Sequence, residues 1–333
     1  MRPYCEESIR DGELALGFDR ISGDYNEFWA SRDYLNVIDG ISAPTLMAHA
    51  FNDWNVMPEH SVRIYEALKT KGVPTQAYYH QGGHGGPPPF ELMNRWFTRY
   101  VYGVENQVEE DPRAWIVREG DPPFDPTPYA DYPNPEAVPV TLHLSTGGRS
   151  QGGLMIQPQP GQTPENLVDN VTFSGASLAQ ADSSAYRLMY ATPELTEAVH
   201  LSGTPSVNMR LAVDREAANL SVWVVTLPWS DEPGVTGVIT RGWADPQNHS
   251  SLRTSEPLVP DRFYDISFEL QPDDQVIPSG RRLALMVFSS DREFTLWPEP
   301  GTELTIDLDG TSITLPVVGG EAALTRAFGQ SSR

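Results

Sequence analysis

The stretch PTLMAHAFNDWNV, residues 44–56, decides the fold of the first part of the chain. Its first residues are mostly apolar, as expected of a buried strand in a parallel sheet, and they lead into a polar turn that contains Asp53. Pro58 then opens a segment with apolar side chains at helical spacing, and Gly72 can cap the end of that segment in the left-handed conformation. The stretch therefore predicts a strand, a turn and a helix in that order.

The same pattern follows a second time. Residues 75–79, TQAYY, predict another strand, and a glycine-rich loop, HQGGHGG at residues 80–86, comes directly after it. Apolar side chains then recur at helical spacing, which predicts a helix that ends at Gly103; they are Phe90, Met93, Phe97 and Tyr100. Strands that alternate with helices indicate a parallel sheet with right-handed crossovers. Two such units are too few for a complete sheet.

The sequence changes character after about residue 140, where short β patterns dominate. Four runs predict strands, at residues 207–213, 220–227, 263–270 and 282–289. Asp309-Gly310 between two further runs predicts a tight hairpin. Many short strands separated by Pro and Gly turns predict a β-sandwich of jelly-roll type. The predicted fold class is therefore α/β plus all-β.

A proline-rich stretch separates the two regions. Residues 119–139, EGDPPFDPTPYADYPNPEAVP, contain seven prolines, which forbid a regular helix and favour extended chain. The surrounding segment is also acidic, which is typical of a surface connection. The chain is accordingly divided into an α/β part at 1–103, an acidic linker at 104–139 and a β-sandwich at 140–333.

Composition excludes several classes of function. The 333 residues carry a net charge of −22, and such a surface repels nucleic acid and anionic membranes. No stretch approaches the roughly 20 apolar residues that span a bilayer, and the first residues lack a secretory signal, which favours the cytoplasm. The single cysteine, Cys5, cannot form an internal disulfide, and the histidines show no zinc-binding spacing. We expect neither a metal nor a cofactor.

Asp53 and His84 each follow a predicted strand directly, so both lie at the same end of the parallel sheet. A carboxylate there can orient a histidine, whose other ring nitrogen then takes a proton from a serine nucleophile. The local alternatives are a turn aspartate and a loop histidine between glycines. His80 competes with His84 for the role of base, whereas His49 lies within a strand and is expected to be buried or structural.

A nucleophile is harder to find. The pattern G-x-S-x-G occurs once, at residues 148–152, but it follows the acid and the histidine, and the residues after it, GLMIQPQPGQTP, cannot form the required helix. It is therefore rejected as the nucleophile. Several serines precede or surround the acid without the context of a nucleophile elbow: Ser8, Ser22, Ser31, Ser42 and Ser61.

The motifs around the acid and the histidine, HAFNDWNV at 49–56 and HQGGH at 80–84, resemble those of the Xaa-Pro dipeptidyl-peptidases. That α/β-hydrolase superfamily includes the cocaine-esterase-like acyl hydrolases. Further similar segments are GDYNEFW at 23–29, RDY at 32–34, HLSGTP at 200–205, RGWADP at 241–246 and FSSDREFTLWP at 288–298. The family usually has His-Gly where this chain has His49-Ala50. The resemblance covers nearly the whole chain.

The resemblance implies that Asp53 is the triad acid, that His84 is the base, and that Asn55 binds the amino-terminal end of a peptide. The implied reaction releases an N-terminal dipeptide with proline in its second position through a serine ester. The family's serine lies in an N-terminal half that this chain lacks. The chain thus resembles the C-terminal part of the α/β-hydrolase sheet and its following sandwich, as a fragment, a truncated gene product or one half of a split enzyme.

Several alternatives follow from this pattern. One is an esterase of the cocaine-esterase type, and another is an inactive module that binds carbohydrate or protein through Trp223, Trp229 and Trp243. The partners that the pattern allows are a peptide substrate, a separate chain that carries the serine, and a second copy in a homo-oligomer. Without the first strands of the sheet, residues 1–103 should expose an unpaired strand edge, which invites association.

Overall fold

The structure is a computed structural model, and it describes residues 2–19, 22–230, 237–296 and 300–329. The helices within these ranges are α1 Arg2–Tyr4, α2 Glu13–Phe18, α3 Glu27–Ala30, α4 Glu59–Thr70, α5 Phe90–Tyr100, α6 Gly175–Gln180 and α7 Gly320–Ala327. A π-helix spans Cys5–Arg10, and 3-10 helices span Tyr34–Gly40, Val108–Glu110 and Pro246–Asn248. No helix in the described part of the chain is long and apolar enough to cross a membrane.

The first sheet has four strands in the order β1 Thr45–Ala50, β2 Thr75–His80, β3 Ala114–Val117 and β4 Thr127–Tyr129. The first three are parallel, and β4 is antiparallel to β3. The helix after β1 is confirmed, because α4 starts at Glu59 after Pro58 and buries Val62, Tyr65 and Leu68. Gly72, at φ +79°, follows its end as predicted. These strand ends carry the loops of Asp53 and His84.

The helix predicted from Phe90 is also confirmed, but its buried face differs from the prediction. Leu92 and Trp96 are the buried side chains of α5, whereas Phe90 and Phe97 are exposed. Of the predicted stripe, Met93 and Tyr100 are only half-buried, and the ring of Tyr100 lies 4.6 Å from that of Trp96. Phe90 and Phe97 leave an exposed apolar surface on this side of the helix.

The acidic segment at 104–139 is more than a surface connection, and that prediction is wrong. Its apolar run Ala114–Val117 forms β3 inside the first sheet, and Thr127–Tyr129 forms the edge strand β4, where Pro128 is tolerated. The ring of Tyr132 is fully buried and packs against Phe51 and Tyr79. Strand β3 itself contains no proline, so its backbone hydrogen bonds are kept.

The second region is a large, mostly antiparallel sheet domain, called here the antiparallel domain. Its strands are β5 Ala137–Ser145, β6 Gly152–Met155, β7 Glu165–Val168, β8 Leu188–Ala191, β9 Val199–Gly203, β10 Ser206–Val213, β11 Leu220–Leu227, β12 Val238–Ala244, β13 Tyr264–Glu269, β14 Asp273–Ile277, β15 Arg282–Phe288, β16 Glu303–Ile306 and β17 Ser312–Val318. The four strands predicted between residues 207 and 289 are confirmed as β10, β11, β13 and β15. Their inward side chains form one large apolar core. The jelly-roll arrangement stays a prediction, as do the domain boundaries.

The hairpin predicted at Asp309-Gly310 is wrong. Strands β16 and β17 do not pair with each other; they pair in line with successive parts of β10. The chain between them loops out because Asp307 accepts hydrogen bonds from the backbone N–H groups of Asp309 and Gly310 and from the hydroxyl of Thr311. The Asp-Gly pair therefore lies in a short loop between two strands that pair with β10 one after the other.

Strand β1 is an unpaired edge of the first sheet, as expected. Among the described residues it pairs only with β2. Leu46 and Met47 are half-buried and Ala48 is exposed, whereas every residue of β2 after Thr75 is buried. The edge next to the Asp53 turn is therefore open to a further strand.

Candidate active site

The turn after β1 holds the Asp53 carboxylate in a fixed position. Asp53 is only 4% exposed. Its Oδ1 accepts two backbone hydrogen bonds, from the N–H groups of Asn55 and Val56, both at 3.0 Å. These bonds leave Oδ2 for a partner from another loop.

That partner is His84. Its Nδ1 lies 2.9 Å from Oδ2 of Asp53, although the two residues are 31 positions apart in the chain. The His84 side chain is 64% exposed, and no described residue is hydrogen-bonded to its Nε2. When Nδ1–H donates to the carboxylate, Nε2 of the neutral ring is free to accept a proton. The structure thus brings the two predicted residues together in the geometry of an oriented base.

The charge of Asp53 is stabilised despite its burial. Burial raises the pKa of this carboxyl, but hydrogen bonds from Val56, His84 and Asn55 lower it more, so the net shift is downward. Asp53 is therefore an anion at neutral pH. An anion at this position favours the imidazolium that forms when Nε2 takes up a proton.

His49 belongs to the same cluster. Its Nε2 lies 2.9 Å from the carbonyl oxygen of Val56 and 3.4 Å from Oδ2 of Asp53. A side chain of β1 therefore binds the far end of the turn that follows this strand. We expected His49 to be buried or structural, and its side chain is indeed only 13% exposed.

The loop that carries His84 wraps around the ring of His80, the competing base. His80 is 8% exposed, and its Nδ1 accepts the backbone N–H of Gly82 at 3.1 Å. An added Cβ at Gly82 or Gly86 would approach the His80 ring to 2.7 Å, so both glycines are needed for the loop to wrap around it. Burial lowers the pKa of His80, which keeps the ring neutral. No hydrogen bond joins His80 to Asp53 in the described structure.

Neither the Asn55 side chain nor a serine of the described residues takes part in the contact between Asp53 and His84. The side chain of Asn55 is exposed beside Asp53, and only its backbone N–H enters the carboxylate network. The G-x-S-x-G pattern at 148–152 lies in the turn between β5 and β6, where Arg187 binds the carbonyl oxygens of Gly148 and Ser150. No serine hydroxyl of the described residues is hydrogen-bonded to His84, so the nucleophile is not among the observed partners.

Two features bear on other chemistry. In the part of the chain that the structure covers, no three His, Cys, Asp or Glu side chains come together as a metal site requires. Trp223 is buried, and its indole and that of Trp243 both donate to Asp291, at 2.9 and 3.1 Å. These two rings are therefore fixed in a polar network and do not form an exposed binding platform.

The comparison with family models matches two segments of the chain. Residues 106–328 match the X-Pro dipeptidyl-peptidase C-terminal non-catalytic domain. Residues 11–86, which include Asp53 and His84, match the X-Pro dipeptidyl-peptidase S15 family. Of the segments that carried the resemblance, only Trp297 and Pro298 lie outside the described residues.

Relatives of known name match over almost all of the chain. A Rhodopirellula baltica protein named "Putative Xaa-Pro dipeptidyl-peptidase" is 59% identical over 97% of this chain and 52% of its own length. A Bacillus cereus protein of the same name is 31% identical over 94% of this chain and 53% of its own. The chain thus spans about half the length of these relatives.

Solved structures support the fold. An aminopeptidase from a marine sediment archaeon superimposes with a TM-score of 0.72 at 15% identity, over 93% of this chain and 61% of its own. A CocE/NonD family hydrolase from Staphylococcus aureus superimposes with a TM-score of 0.68 at 12% identity, over 89% of this chain and 57% of its own. At these identities the likeness concerns the fold alone. With the family matches, it follows that the chain belongs to the X-Pro dipeptidyl-peptidase family, S15, and contains part of the catalytic domain followed by the C-terminal domain.

Proposed function

We propose that this chain supplies the acid and the base of a serine dipeptidyl-peptidase that releases Xaa-Pro dipeptides from the amino terminus of peptides. The observation that carries the proposal is the 2.9 Å contact between Oδ2 of Asp53 and Nδ1 of His84 at the ends of neighbouring parallel strands. Family membership supports it, because residues 11–86 match the S15 model.

In this mechanism His84 moves the protons and Asp53 orients it. Nε2 of His84 removes the proton of a serine hydroxyl as the serine oxygen attacks the carbonyl carbon of the proline residue. The imidazolium then gives that proton to the leaving amine as the C–N bond breaks, which leaves a serine ester. Water deprotonated by His84 hydrolyses the ester and restores the serine. Asp53 remains ionised throughout.

The serine in this proposal belongs to polypeptide that extends the first sheet past β1. Two apolar surfaces support the proposal: the unpaired edge of β1, with Leu46 and Met47 half-buried, and the exposed Phe90 and Phe97 of α5. The relatives are about twice as long as this chain, so they contain additional polypeptide of sufficient size. This additional polypeptide, in the same chain or in a partner, would add a strand along the free edge of β1 and so extend the sheet.

For the substrate, we propose that the free amino terminus binds near Asn55. The exposed amide oxygen of Asn55 can accept a hydrogen bond from an ammonium group, and the net charge of −22 attracts a cationic peptide end. The distinction from an ester hydrolase depends on this amine, because a simple ester has none.

The test is hydrolysis of Gly-Pro-p-nitroanilide by the chain alone and after mixing with serine-bearing polypeptide. That polypeptide is the product encoded directly upstream, or the part of the Rhodopirellula baltica relative that this chain does not match. Asp53→Ala and His84→Ala should abolish the activity of the mixture, whereas the surface substitutions Asp39→Ala and His60→Ala should not.

The outcome separates the alternatives. Hydrolysis of the anilide in the mixture alone, lost in both site variants, is the expected result. Hydrolysis of p-nitrophenyl acetate without cleavage of the anilide would indicate an esterase. A complex that forms but cleaves neither compound would contradict the proposal and favour an inactive binding module.

A further inference from the structure

The loop that carries His84 is attached to the antiparallel domain through Gln81. Its Nε2 donates to Oδ1 of Asp273 at 2.9 Å and to the carbonyl oxygen of Asp274 at 2.7 Å. Gln81 lies three residues before His84, and its acceptors lie at the start of β14, more than 190 positions along the chain. Both protons of this amide are therefore used to connect the two domains.

The same side chain also holds the turn of Asp53. Asn52 donates from Nδ2 to the backbone oxygen of Gln81 at 3.0 Å and to its Oε1 at 3.1 Å. Because Asn52 precedes Asp53, Gln81 connects the acid turn, the base loop and β14 at one point. We call the contacts of Gln81 with Asn52, Asp273 and Asp274 the base-loop latch.

The acceptors of this latch are themselves immobilised. Asp273 is 5% exposed, and its carbonyl oxygen accepts the hydroxyl of Tyr132 at 3.0 Å. Oδ1 of Asp274, which is fully buried, accepts from the hydroxyl of Tyr129 at 3.0 Å and lies 2.9 Å from Nε2 of His200. The latch therefore ends on a rigid anchor and not on a mobile surface group.

A second attachment holds the acid turn from the other side. The ring of Trp54, directly after Asp53, lies 4.4 Å from the guanidinium carbon of Arg241 on β12. Arg241 also stacks on Trp223 at 4.2 Å and on Phe294 at 5.0 Å. A cation shared by three aromatic faces in a largely buried site is a strong contact. We call the contact between Trp54 and this cluster the acid-turn latch.

The cluster around Arg241 is fixed by Asp291. This carboxylate is 1% exposed and accepts the indole N–H groups of Trp223 and Trp243. The two latches are also joined, because the backbone N–H of Gln271 donates to the carbonyl oxygen of Arg241 at 2.8 Å, just before β14 begins. Both latches therefore end on one connected part of the antiparallel domain.

We infer that the antiparallel domain positions Asp53 and His84, with Gln81 and Arg241 as the positioning residues. The roles of Asp53 and His84 rest on the proposed function, but their geometry does not. The domain thus holds the two loops in place, although none of its described residues is hydrogen-bonded to His84. Loss of a latch should leave the fold in place and release the His84 ring from Asp53.

The test uses the tautomer of His84 in the full chain. Two-bond proton–nitrogen NMR spectra in mildly alkaline buffer report which ring nitrogen of a neutral imidazole carries the proton, and the His84→Gln variant assigns the signals. In the wild type the bond to Asp53 should impose the Nδ1–H form. In Gln81→Met and in Arg241→Met we expect a shift to the Nε2–H form.

Two matched controls separate positioning from stability. Gln76→Met makes the same change within β2, the strand that leads into the loop of Gln81, and removes a buried hydrogen bond to the carbonyl oxygen of Val108. Arg63→Met removes another contact with the antiparallel domain, the 3.2 Å pair with Glu269. Both controls should keep the Nδ1–H form. If Gln81→Met does not fold, Asp273→Ala removes the same hydrogen bond from the other side.

Each result is decisive. The inference is overturned if His84 keeps the Nδ1–H form in the folded Gln81 variant (or the Asp273 variant in its place) and in the folded Arg241 variant. It is also overturned if the control variants lose the Nδ1–H form. If the wild type itself shows the Nε2–H form, the bond to Asp53 and with it the proposed function fail. If the latch variants lose the Nδ1–H form while no mixture hydrolyses Gly-Pro-p-nitroanilide, the inference stands and only the proposed function fails.

Discussion

The ring of His49 closes the turn that holds Asp53: its Nε2 lies 2.9 Å from the carbonyl oxygen of Val56 and 3.4 Å from Oδ2 of Asp53. The carboxylate that contacts His84 is therefore held by groups on both sides of the turn. His49 donates to Val56 across the loop, so the turn cannot open without the loss of this bond.

The first prediction concerns His49. His49→Ala should lower the free energy of unfolding by about 1–3 kcal/mol, because the carbonyl of Val56 loses its donor and the largely buried ring leaves a small cavity. Urea unfolding of the chain measures this change. The matched control is His60→Ala on the exposed face of α4, which should change stability by less than about 0.5 kcal/mol. Equal effects of the two substitutions would show that His49 does not stabilise the turn.

The second prediction concerns the glycines of the His84 loop. Gly85 and Gly86 have φ values of +104° and +99°, so alanine is strained at both. Only at Gly86 would the added Cβ also meet the His80 ring, at 2.7 Å, whereas nothing lies within 4 Å at Gly85. Gly85→Ala should therefore cost about 1–2 kcal/mol and Gly86→Ala at least about 1 kcal/mol more. Urea unfolding compares them, and equal losses would contradict the packing of the loop on His80.

The third prediction is a pH dependence set by Asp273. Burial, with smaller contributions from the nearby Asp274 and Glu119, raises the pKa of this carboxyl to about 7 despite the hydrogen bonds from Gln81 and the Asp274 backbone, which lower it. The folded state thus holds this proton to a higher pH than the unfolded state, whose pKa is near 3.8. The neutral Asp273 carboxyl therefore stabilises the folded state fully below about pH 4, and this stabilisation is lost as the pH rises towards 7.

The measurement is urea unfolding of the wild type and of Asp273→Asn, which keeps an oxygen acceptor for Gln81 but cannot ionise. The stability of the wild type relative to the variant should fall between about pH 4 and pH 7, by up to about 4 kcal/mol. Above that range the difference should be constant. A difference that does not change with pH would mean that Asp273 is not buried as a neutral acid.

The fourth prediction concerns Asn55. In the reconstituted enzyme Asn55→Ala should raise KM for Gly-Pro-p-nitroanilide about tenfold, the effect of losing about 1.4 kcal/mol of substrate binding. The unfolding free energy should not change, because only the backbone N–H of Asn55 binds Asp53 and the side chain is exposed. Steady-state kinetics and urea unfolding test both parts. A normal KM would place the amine of the substrate elsewhere.

The sequence predicted the elements that depend on local periodicity. Strands β1 and β2, helix α4 and the shared position of Asp53 and His84 follow from apolar spacing and from the rule that parallel strands end at the same edge. The helix at Phe90 was also predicted, but its buried face was not. Apolar residues occur on both sides of that helix, and only tertiary packing selects Leu92 and Trp96.

Long-range pairing explains what the sequence did not reveal. Strand β3 lies in a segment dominated by proline and acidic residues, and its partner β2 is more than 30 positions away. Asp309-Gly310 fits a hairpin locally, yet β10 offers both flanking strands a better partner. The contact of Gln81 with Asp273 leaves no local pattern at all, because neither residue is unusual in its own segment.

The most direct test of the central claim is the effect of Asp53→Asn on the hydrolysis of Gly-Pro-p-nitroanilide by the reconstituted enzyme. This change keeps the size of the side chain but favours the wrong tautomer of His84, so kcat/KM should fall by about 10⁴-fold while Asp39→Asn has no effect. A decrease of less than about tenfold for Asp53→Asn would show that Asp53 and His84 are not the acid and base of the proposed peptidase.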